Sequence, residues 1–349
     1  MKPNLRAVVA LVAATVASSC GGGHEQEPLK KPAAQPGAGR TVEDVQIDPN
    51  LLMIFKIAPA TPKTDNKVTA EKVALGRRLY HDKRLSKGGD IACASCHSLD
   101  TYGVDNKPTS PGTGGAAGDR NTPSTFNAAR HFVQFWDGRA VHVEEQALGP
   151  VLNPSEHGVA DEAELVRILK ADAETVGMFQ KAFPGDADPV TPRNFASAIG
   201  AFERTLVTRG PWEEYLAGRS DALTPAQKRG LKAFIENGCT ACHNTELLGG
   251  NMYQKSGLLQ PYPSPDPGRF RVTNNESDRG MFKVPSLLNV AKTAPYFHDG
   301  KVATLEEAVA RMGKLQLGRD LPEATVADIV TFLKALTGTL VEPATRLER

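Results

Sequence analysis

Two copies of the pattern C-x-x-C-H carry the most specific chemistry in this sequence. At this spacing, two thiols can form thioethers with the vinyl groups of one haem while the adjacent imidazole binds its iron from one face. The sequence therefore predicts two covalently attached c-type haems, with each histidine as a proximal iron ligand. The residues of the two motifs are Cys93, Cys96, His97, Cys239, Cys242 and His243.

Paired cysteines also occur in zinc ribbons and in thioredoxin-like redox sites. A zinc ribbon places its cysteine pairs roughly 15–20 residues apart, whereas Cys96 and Cys239 are 143 positions apart. A thioredoxin-like redox pair needs a strand followed by a helix, and no such context surrounds either motif. The fifth cysteine, Cys20, lies near the start of the chain. Haem attachment is the favoured interpretation.

The elements that must position these motifs are predicted to be helices. Apolar residues recur at helical spacing, and no convincing run of alternating strand residues is found. Residues typical of a capping box, Thr224 with Gln227 and Thr304 with Glu307, mark two helix starts, and Gly338 is placed to end the last helix. We therefore predict an all-α fold with long loops. The apolar helix faces comprise Phe195, Ile199, Phe202 and Leu206, and Val326, Ile329, Val330 and Leu333.

A coarse repeat indicates two similar domains. A helix rich in Lys and Arg precedes each cysteine motif, over residues 70–86 and again over residues 224–238. At 349 residues the chain is also long enough for two domains. We expect two cytochrome c-like helical domains, an N-terminal haem domain over residues 46–210 and a C-terminal haem domain over residues 211–349. The C-terminal tail could pack back on the first domain.

The start of the chain is typical of an exported protein. A short basic region precedes apolar residues 7–17, a stretch too short to span a bilayer. Small residues before Cys20 resemble the cleavage site of bacterial lipoproteins, whose cysteine is acylated. We expect a signal peptide over residues 1–19, a lipid-anchored flexible tether over residues 20–45, and a periplasmic location. Ordinary cleavage nearby, leaving Cys20 unmodified or removing it, is the alternative.

Charge gives little indication of a partner. The chain has 41 basic and 40 acidic residues, a net charge of +1, so it offers no global field for a nucleic-acid backbone. We expect no nucleic-acid partner, and contact with a membrane only through the N-terminal lipid.

Several segments between and after the motifs resemble one known family. RNTP at residues 120–123, FWDGRA at 135–140, EEQALGP at 144–150 and TAPYFHDG at 293–300 are similar to the bacterial di-haem cytochrome c peroxidases and their MauG-type relatives. The resemblance covers roughly residues 70–338, and the segments keep their order. It implies a helical fold with two haems and an enzyme that acts on H₂O₂.

The resemblance also implies a division of labour between the haems. The haem of the first motif would be the low-potential peroxidatic site, and the haem of the second would be the high-potential site that accepts electrons. Met312 would be the sixth ligand of the second iron; by sequence it ends an amphipathic helix before a glycine-containing loop. Trp136 matches a tryptophan between the haems, where an indole can shorten an electron's path. Core packing is the ordinary role of either side chain.

Two further residues match the peroxidatic pocket of the family. Glu156 would take the proton from one peroxide oxygen and return it to the departing one, as a partly desolvated carboxylate can do. Gln146 would orient peroxide or water by hydrogen bonding. Without the resemblance, either would be taken for a solvated polar residue.

The resemblance implies one Ca²⁺ and, in many relatives, a dimer. Asn121, Thr293 and Pro295 match a calcium site built from a side-chain amide and backbone carbonyls, and hard oxygen ligands suit this ion. A homodimer is therefore an open expectation.

One position departs from the family pattern. Many members carry a histidine in the loop after the first motif, where it caps the peroxidatic iron in the oxidised state, but Thr113 stands here. Threonine is a poor haem ligand. We hypothesise that the peroxidatic iron stays open or water-bound, or that it recruits His131 or His157. His157 could instead tune the neighbouring Glu156.

The expected activity is reduction of H₂O₂ to two waters, with electrons from a small periplasmic donor such as a monohaem cytochrome c or a cupredoxin. One alternative is a MauG-like oxidase that modifies a partner protein, for which Tyr in place of Met312 would be expected. A second alternative is a non-catalytic di-haem electron carrier, in which both irons would be capped.

Overall fold

The computed structural model describes residues 45–57 and 65–341. Helices dominate the described residues, as the periodicity predicts, and loops connect them. The α-helices are α1 (Pro49–Leu52), α2 (Ala70–Tyr80), α3 (Cys93–Cys96), α4 (Val143–Leu152), α5 (Glu162–Lys170), α6 (Ala173–Ala182), α7 (Pro192–Glu203), α8 (Pro211–Leu216), α9 (Pro225–Glu236), α10 (Phe270–Thr273), α11 (Leu305–Leu317) and α12 (Glu323–Ala335).

Short β-strands, absent from the sequence prediction, also occur in the described part of the chain. They are β1 (Thr208–Arg209), β2 (Tyr253–Lys255), β3 (Met281–Lys283) and β4 (Thr339–Leu340). β1 pairs antiparallel with β4, and β2 pairs antiparallel with β3. Strands of two or three residues are too short to give an alternating pattern, which is why periodicity could not find them.

The helix before the first cysteine motif, α2, packs closely on α7. The two helices approach closely at Gly76, where a Cβ would overlap the carbonyl oxygen of Ala198 and press on Phe202. The absence of a side chain at Gly76 therefore sets the distance between the two helices. The buried residues around this crossing form one hydrophobic core, which includes Leu75, Leu79, Phe179, Phe195, Ile199 and Phe202.

The helix before the second motif repeats this arrangement. α9 packs closely on α12, and a Cβ at Gly230 would overlap the carbonyl oxygen of Asp328 and press on Phe332. In each pair, a glycine meets a backbone carbonyl and a phenylalanine that lies four residues farther along the partner helix. A second hydrophobic core surrounds this crossing and includes Trp212, Leu231, Phe234, Ile329, Phe332 and Leu333.

One of the three predicted helix boundaries is confirmed in full, one is confirmed in part, and the predicted end at Gly338 is wrong. Thr224 and Gln227 form the expected capping box at α9. At α11, Thr304 accepts from the Glu307 amide, but the Glu307 carboxylate binds Arg311 instead of the cap. The last helix ends at Ala335, three residues before Gly338.

One apolar residue assigned to a helix lies beyond it. α7 ends at Glu203, so Leu206 falls in the following turn, yet its side chain stays buried in the same core. The sequence assigned Leu206 to the helix because it is apolar at helical spacing. A turn can continue a buried face for several residues beyond a helix, so the spacing alone does not mark the helix end.

Some predictions lie outside the described residues. These are the signal peptide over residues 1–19, the acylation of Cys20, and the tether as far as residue 44. Within the described ranges, no helix combines the length and the apolar character needed to cross a membrane.

Candidate functional site

A cavity of about 610 Å³ lies beside the first cysteine motif. Its volume is in the range of cofactor and ligand pockets. It brings together residues that are far apart in the sequence, from α3, α4, α7 and the loops between them. The predicted site residues that line it are Cys93, Cys96, His97, Asn121, Trp136, Gln146, Glu156 and His157.

The first motif forms a single helical turn, α3, whose backbone fixes the histidine. The His97 amide donates to the Cys93 carbonyl (2.8 Å), and the Ala92 amide donates to the Ser95 hydroxyl (2.9 Å). The Tyr80 hydroxyl donates to the His97 carbonyl (2.6 Å). α3 and α2 therefore hold the ends of the motif in place.

The imidazole of His97 is oriented for metal binding. Its Nδ1 lies 3.1 Å from the Gly103 carbonyl oxygen, and because a carbonyl only accepts, Nδ1 must carry the proton. Nε2 is then the unprotonated nitrogen that can bind a metal. Burial lowers the pKa of His97, which keeps the ring in the neutral form that a metal requires.

The second motif has the same design. After α9, residues 239–241 form a 3₁₀ turn, and the His243 amide donates to the Cys239 carbonyl (3.0 Å). The His243 Nδ1 lies 2.9 Å from the Leu248 carbonyl oxygen, so its Nε2 is again the nitrogen left for a metal. Burial lowers the pKa of His243. Two thiols and one pre-oriented imidazole at each place fit a covalently attached haem.

The four cysteines do not gather at one metal site. Cys93, Cys96, Cys239 and Cys242 are free thiols. Among the residues that the structure describes, no group of three or more His, Cys, Asp or Glu side chains could hold a metal ion. The zinc-ribbon alternative therefore has no support in the geometry.

Glu156 lies in a turn that follows α4. Asn153 organises this turn: its Oδ1 accepts from the Ser155 amide (3.0 Å), and its Nδ2 donates to Glu156 Oε1 (2.8 Å). Burial raises the pKa of Glu156, although the Asn153 bond and Arg139 partly oppose this. The carboxyl is thus a partly desolvated acid at the cavity wall, and Gln146 reaches the same cavity from α4.

His131 and His157 occupy different surroundings. His157 is 4% exposed and lines the first cavity, and its Nδ1 donates to the Leu85 carbonyl (2.6 Å). His131 lines a separate cavity of about 390 Å³, and its Nδ1 lies 2.9 Å from Lys283 Nζ. The hydroxyl of Thr113 donates to Asp90 (2.8 Å).

Trp136 connects two segments near the first cavity. Its indole Nε1 donates to the Asn121 carbonyl (2.9 Å), and its own carbonyl accepts from the Lys283 amide (2.8 Å). Its ring lies edge-on to His298, with 6.3 Å between centroids. Trp136 is therefore held between the loop of the RNTP segment and strand β3.

The prediction that Met312 ends its helix is wrong. α11 runs from Leu305 to Leu317, and its N-terminal cap is well formed by Thr304. The half-buried Met312 lies inside the helix, five residues before its last residue. Gly313 also lies inside the helix, and a Cβ there would overlap the side chain of Leu321. α11 packs on α12, which in turn packs on α9 ahead of Cys239.

The residues predicted to bind calcium are joined through one loop. Asn121 Nδ2 donates to the Lys107 carbonyl (2.9 Å). In the same loop, Asn106 Nδ2 donates to the carbonyls of Lys292 (3.1 Å) and Ala294 (2.9 Å). These two carbonyls flank Thr293, and a cis peptide bond joins Ala294 to Pro295. Residues 106–108 thus connect Asn121 with the Thr293–Pro295 segment.

Two residues of the first cavity were missed by sequence reasoning. Glu203, on α7, is 5% exposed and lines the cavity, and burial raises its pKa to about 8. Asn153 supports Glu156, as described above. The Asn-Pro-Ser sequence at residues 153–155 is a turn signal that could have indicated Asn153, whereas Glu203 lies in an ordinary helical pattern.

Comparison with known proteins identifies close relatives. The family model for di-haem cytochrome c peroxidases matches residues 70–221. Cytochrome c551 peroxidase of Pseudomonas aeruginosa is 45% identical over 294 residues, which is 82% of this chain and 84% of the relative. Cytochrome c551 peroxidase of Nitrosomonas europaea is 44% identical over 276 residues, 77% of this chain and 80% of the relative.

More distant relatives share the fold. Methylamine utilization protein MauG of Methylophilus methylotrophus is 32% identical over 289 residues, 78% of this chain and 84% of the relative. The crystal structure of a MauG-like protein associated with microbial copper homeostasis superposes with a TM-score of 0.74 at 33% identity. That match covers 82% of this chain and 95% of the solved one.

Proposed function

The chain belongs to the di-haem cytochrome c peroxidase family, and we propose that it reduces H₂O₂ to two waters with electrons from a small redox protein. The balance is one H₂O₂, two electrons and two protons for two waters. The two peroxidase relatives are 45% and 44% identical, against 32% for MauG. This difference favours peroxide reduction over modification of a partner protein.

The observation that carries the proposal is the composition of the first cavity. A C-x-x-C-H motif, the amide Gln146 and the partly buried carboxyl Glu156 share one space of about 610 Å³. When bound, the haems supply redox-active iron, which accepts and delivers electrons one at a time. The chain supplies the remaining functions, which are orientation of peroxide, transfer of its proton and exclusion of bulk water.

Glu156 moves the proton. Its carboxylate takes a proton from one oxygen of H₂O₂ and returns it to the other, so that the departing oxygen leaves as water. The Asn153 amide holds Glu156 Oε1 and so leaves the other carboxyl oxygen to meet peroxide. Gln146, from the neighbouring helix, donates or accepts a hydrogen bond and orients the substrate.

The second motif receives the electrons. Cys239, Cys242 and His243 would hold this haem, with Met312 as the sixth ligand, because thioether ligation raises the reduction potential and closes the iron to peroxide. Trp136 lies between the loop of Asn121 and β3, which supports a role in the electron path.

Each haem would belong to its own helical domain, over residues 46–210 and 211–349. The two cores and the matching crossings of α2 with α7 and of α9 with α12 support two such helical units. The boundary at residue 46 is less well supported, because Phe55 packs against Trp212 in the second core. One Ca²⁺ at Asn121, Thr293 and Pro295 would hold the loops that residues 106–108 already join.

The partners and the location follow from the same assignment. A monohaem cytochrome c or a cupredoxin would deliver the electrons, and the protein would act in the periplasm, tethered through a lipid on Cys20. A homodimer is the proposed assembly. The near-zero net charge of +1 leaves recognition of the donor to a local surface patch.

Peroxide-dependent oxidation of reduced cytochrome c tests the function. We expect Glu156→Gln to lower kcat by at least about 100-fold, because the amide cannot accept and return a proton, with haem content unchanged. Glu164→Gln is the matched control, since Glu164 pairs with Arg167 on the surface and does not line the cavity. An unchanged rate in Glu156→Gln would remove this carboxyl from the mechanism.

A further inference from the structure

The loop after the first motif, residues 110–118, closes on itself beside the cavity. Pro111 pairs with Ala117 in an antiparallel bridge, and the Gly112 amide donates to the Ala116 carbonyl (2.6 Å). Pro111, Gly112, Ala117 and Gly118 line the cavity wall. The loop is therefore a folded cover at one side of the site.

This cover is attached to the backbone of the catalytic carboxylate. The Thr113 amide donates to the Glu156 carbonyl (2.7 Å). Gly112 lies directly against the preceding carbonyl, where a Cβ would overlap the oxygen of Ser155. Any movement of residues 112–113 would therefore move the turn that presents Glu156.

Asp90 fixes the other side of the cover. It accepts hydrogen bonds from the Thr113 hydroxyl (2.8 Å), the Gly114 amide (3.0 Å) and the Ser86 hydroxyl (3.3 Å). The Gly114 amide and the Thr113 hydroxyl lower the pKa of Asp90 to about 2, so it stays an anionic acceptor. The Thr113 hydroxyl also accepts from the Gly88 amide (3.1 Å), which makes the link two-sided.

The segment before the first motif binds the Glu156 turn as well. The Lys87 amide donates to the His157 carbonyl (2.8 Å), and His157 Nδ1 donates to the Leu85 carbonyl (2.6 Å). Residues 85–90 thus contact both the cover and the turn, and the three segments form a closed ring of hydrogen bonds.

We propose that Asp90 is a positioning residue for the peroxidase reaction: through Thr113 it holds the cover on the backbone of Glu156 and so fixes the carboxylate over the cavity. The inference rests on the proposed function, because it assigns Asp90 and Thr113 to the positioning of Glu156. Neither side chain lines the cavity, so neither acts on peroxide directly. Because small displacements of a catalytic group lower the rate, loss of the Asp90–Thr113 hydrogen bond should slow peroxide reduction.

The test uses the haem-loaded full chain with Asp90→Ala, Thr113→Val and the conservative Thr113→Ser. Amide hydrogen exchange of residues 112–117 reports the cover without relying on activity. We expect roughly tenfold faster exchange and a roughly tenfold lower kcat/KM for H₂O₂ in Asp90→Ala and Thr113→Val. Thr113→Ser keeps the hydroxyl and should stay within about twofold of wild type in both measurements.

Coupling between the two residues gives an independent readout. If they act as one link, the double variant Asp90→Ala with Thr113→Val loses no more than either single variant. Asp188→Ala is the control, since it removes an exposed ion pair with Lys170 away from the cavity. Unchanged exchange, additive losses, or faster exchange with an unchanged kcat/KM would each overturn the proposal. Retained activity in Glu156→Gln would instead count against the proposed function.

Discussion

At the scale of single residues, the proposed mechanism makes the activity depend on the protonation of Glu156. Burial raises the pKa of this carboxyl, and the bond from Asn153 partly opposes the rise because it stabilises the charged form. Arg139 also favours the charged form, and Asp119 opposes it. Because the carboxylate is the form that accepts a proton, kcat/KM should fall as the pH drops through this raised pKa.

Removal of the Asn153 side-chain amide should shift the pH at which kcat/KM falls. In Asn153→Ala the carboxylate loses its donor, so the pKa of Glu156 rises further and the acidic limb of kcat/KM shifts to higher pH. Steady-state rates across the acidic range measure it. Asn275→Ala is a matched control, because Asn275 accepts from Ser277 in a similar turn on the surface. An acidic limb that stays at the wild-type pH in Asn153→Ala would contradict the role of this bond.

At the scale of elements, each cysteine motif follows a helix that crosses a second helix at a glycine. α2 crosses α7 at Gly76, and α9 crosses α12 at Gly230, each against a backbone carbonyl. Such close approach leaves no room for even a methyl group, because protein interiors are packed as densely as crystals. The crossings therefore fix where each motif begins relative to its core.

Alanine at either glycine should destabilise the fold. We expect Gly76→Ala and Gly230→Ala each to lower the free energy of unfolding by about 1–3 kcal/mol through overpacking, measured by denaturant unfolding of the haem-loaded protein. Gly177→Ala, in α6, is the control: nothing lies within 4 Å of a Cβ there. That substitution should stabilise the helix by about 0.5–1 kcal/mol. A loss at Gly177 equal to that at Gly76 would point to a general effect of alanine.

The haem-attachment motifs and the helices before them could be predicted from local sequence patterns. The C-x-x-C-H motifs and the helices before them follow from spacing over a few residues, and Thr224 was identified as a cap for the same reason. The support of Glu156 by Asp90 could not be predicted, because residues 90, 113 and 156 meet only after folding. Met312 shows a further limit: the sequence predicted a glycine-containing loop directly after it, but α11 continues to Leu317, and Gly313 leaves space for Leu321 inside the helix.

At the scale of the whole molecule, polar networks connect loops from distant parts of the chain. Thr208 Oγ1 accepts from Asn127 (2.9 Å) and Asn289 (3.0 Å), and Asn289 Oδ1 accepts from the Gly338 amide (3.0 Å). All of these groups are buried, so each bond replaces one that water made in the unfolded chain. They join the loop before Trp136 to the end of α12.

Arg120 is the centre of a second buried network, formed with two aspartates. Its side chain is 9% exposed and pairs with Asp137 (2.5 Å) and Asp266 (2.6 Å), which are 1% and 11% exposed. Arg120→Ala leaves the buried Asp137 with only Arg139, and Asp266 with only Arg271, as cationic partners. Because two charged hydrogen-bond acceptors then lose their best donor, the free energy of unfolding should fall by about 2–3 kcal/mol. Thermal unfolding measures the loss, and Arg167→Ala, which removes an exposed pair, should cost less than about 1 kcal/mol. Equal losses in the two variants would contradict the assignment.

Haem counting and turnover, measured on one purified sample, show whether the chain is a di-haem peroxidase. Intact mass and the pyridine haemochrome spectrum give the number of covalent haems. Titration of reduced cytochrome c with limiting H₂O₂ gives the number of cytochrome molecules oxidised for each peroxide. Two haems per chain, one on each cysteine motif, and two electrons consumed per peroxide are the predicted result. Fewer than two haems, bound zinc, or two haems without peroxide-dependent oxidation would contradict it.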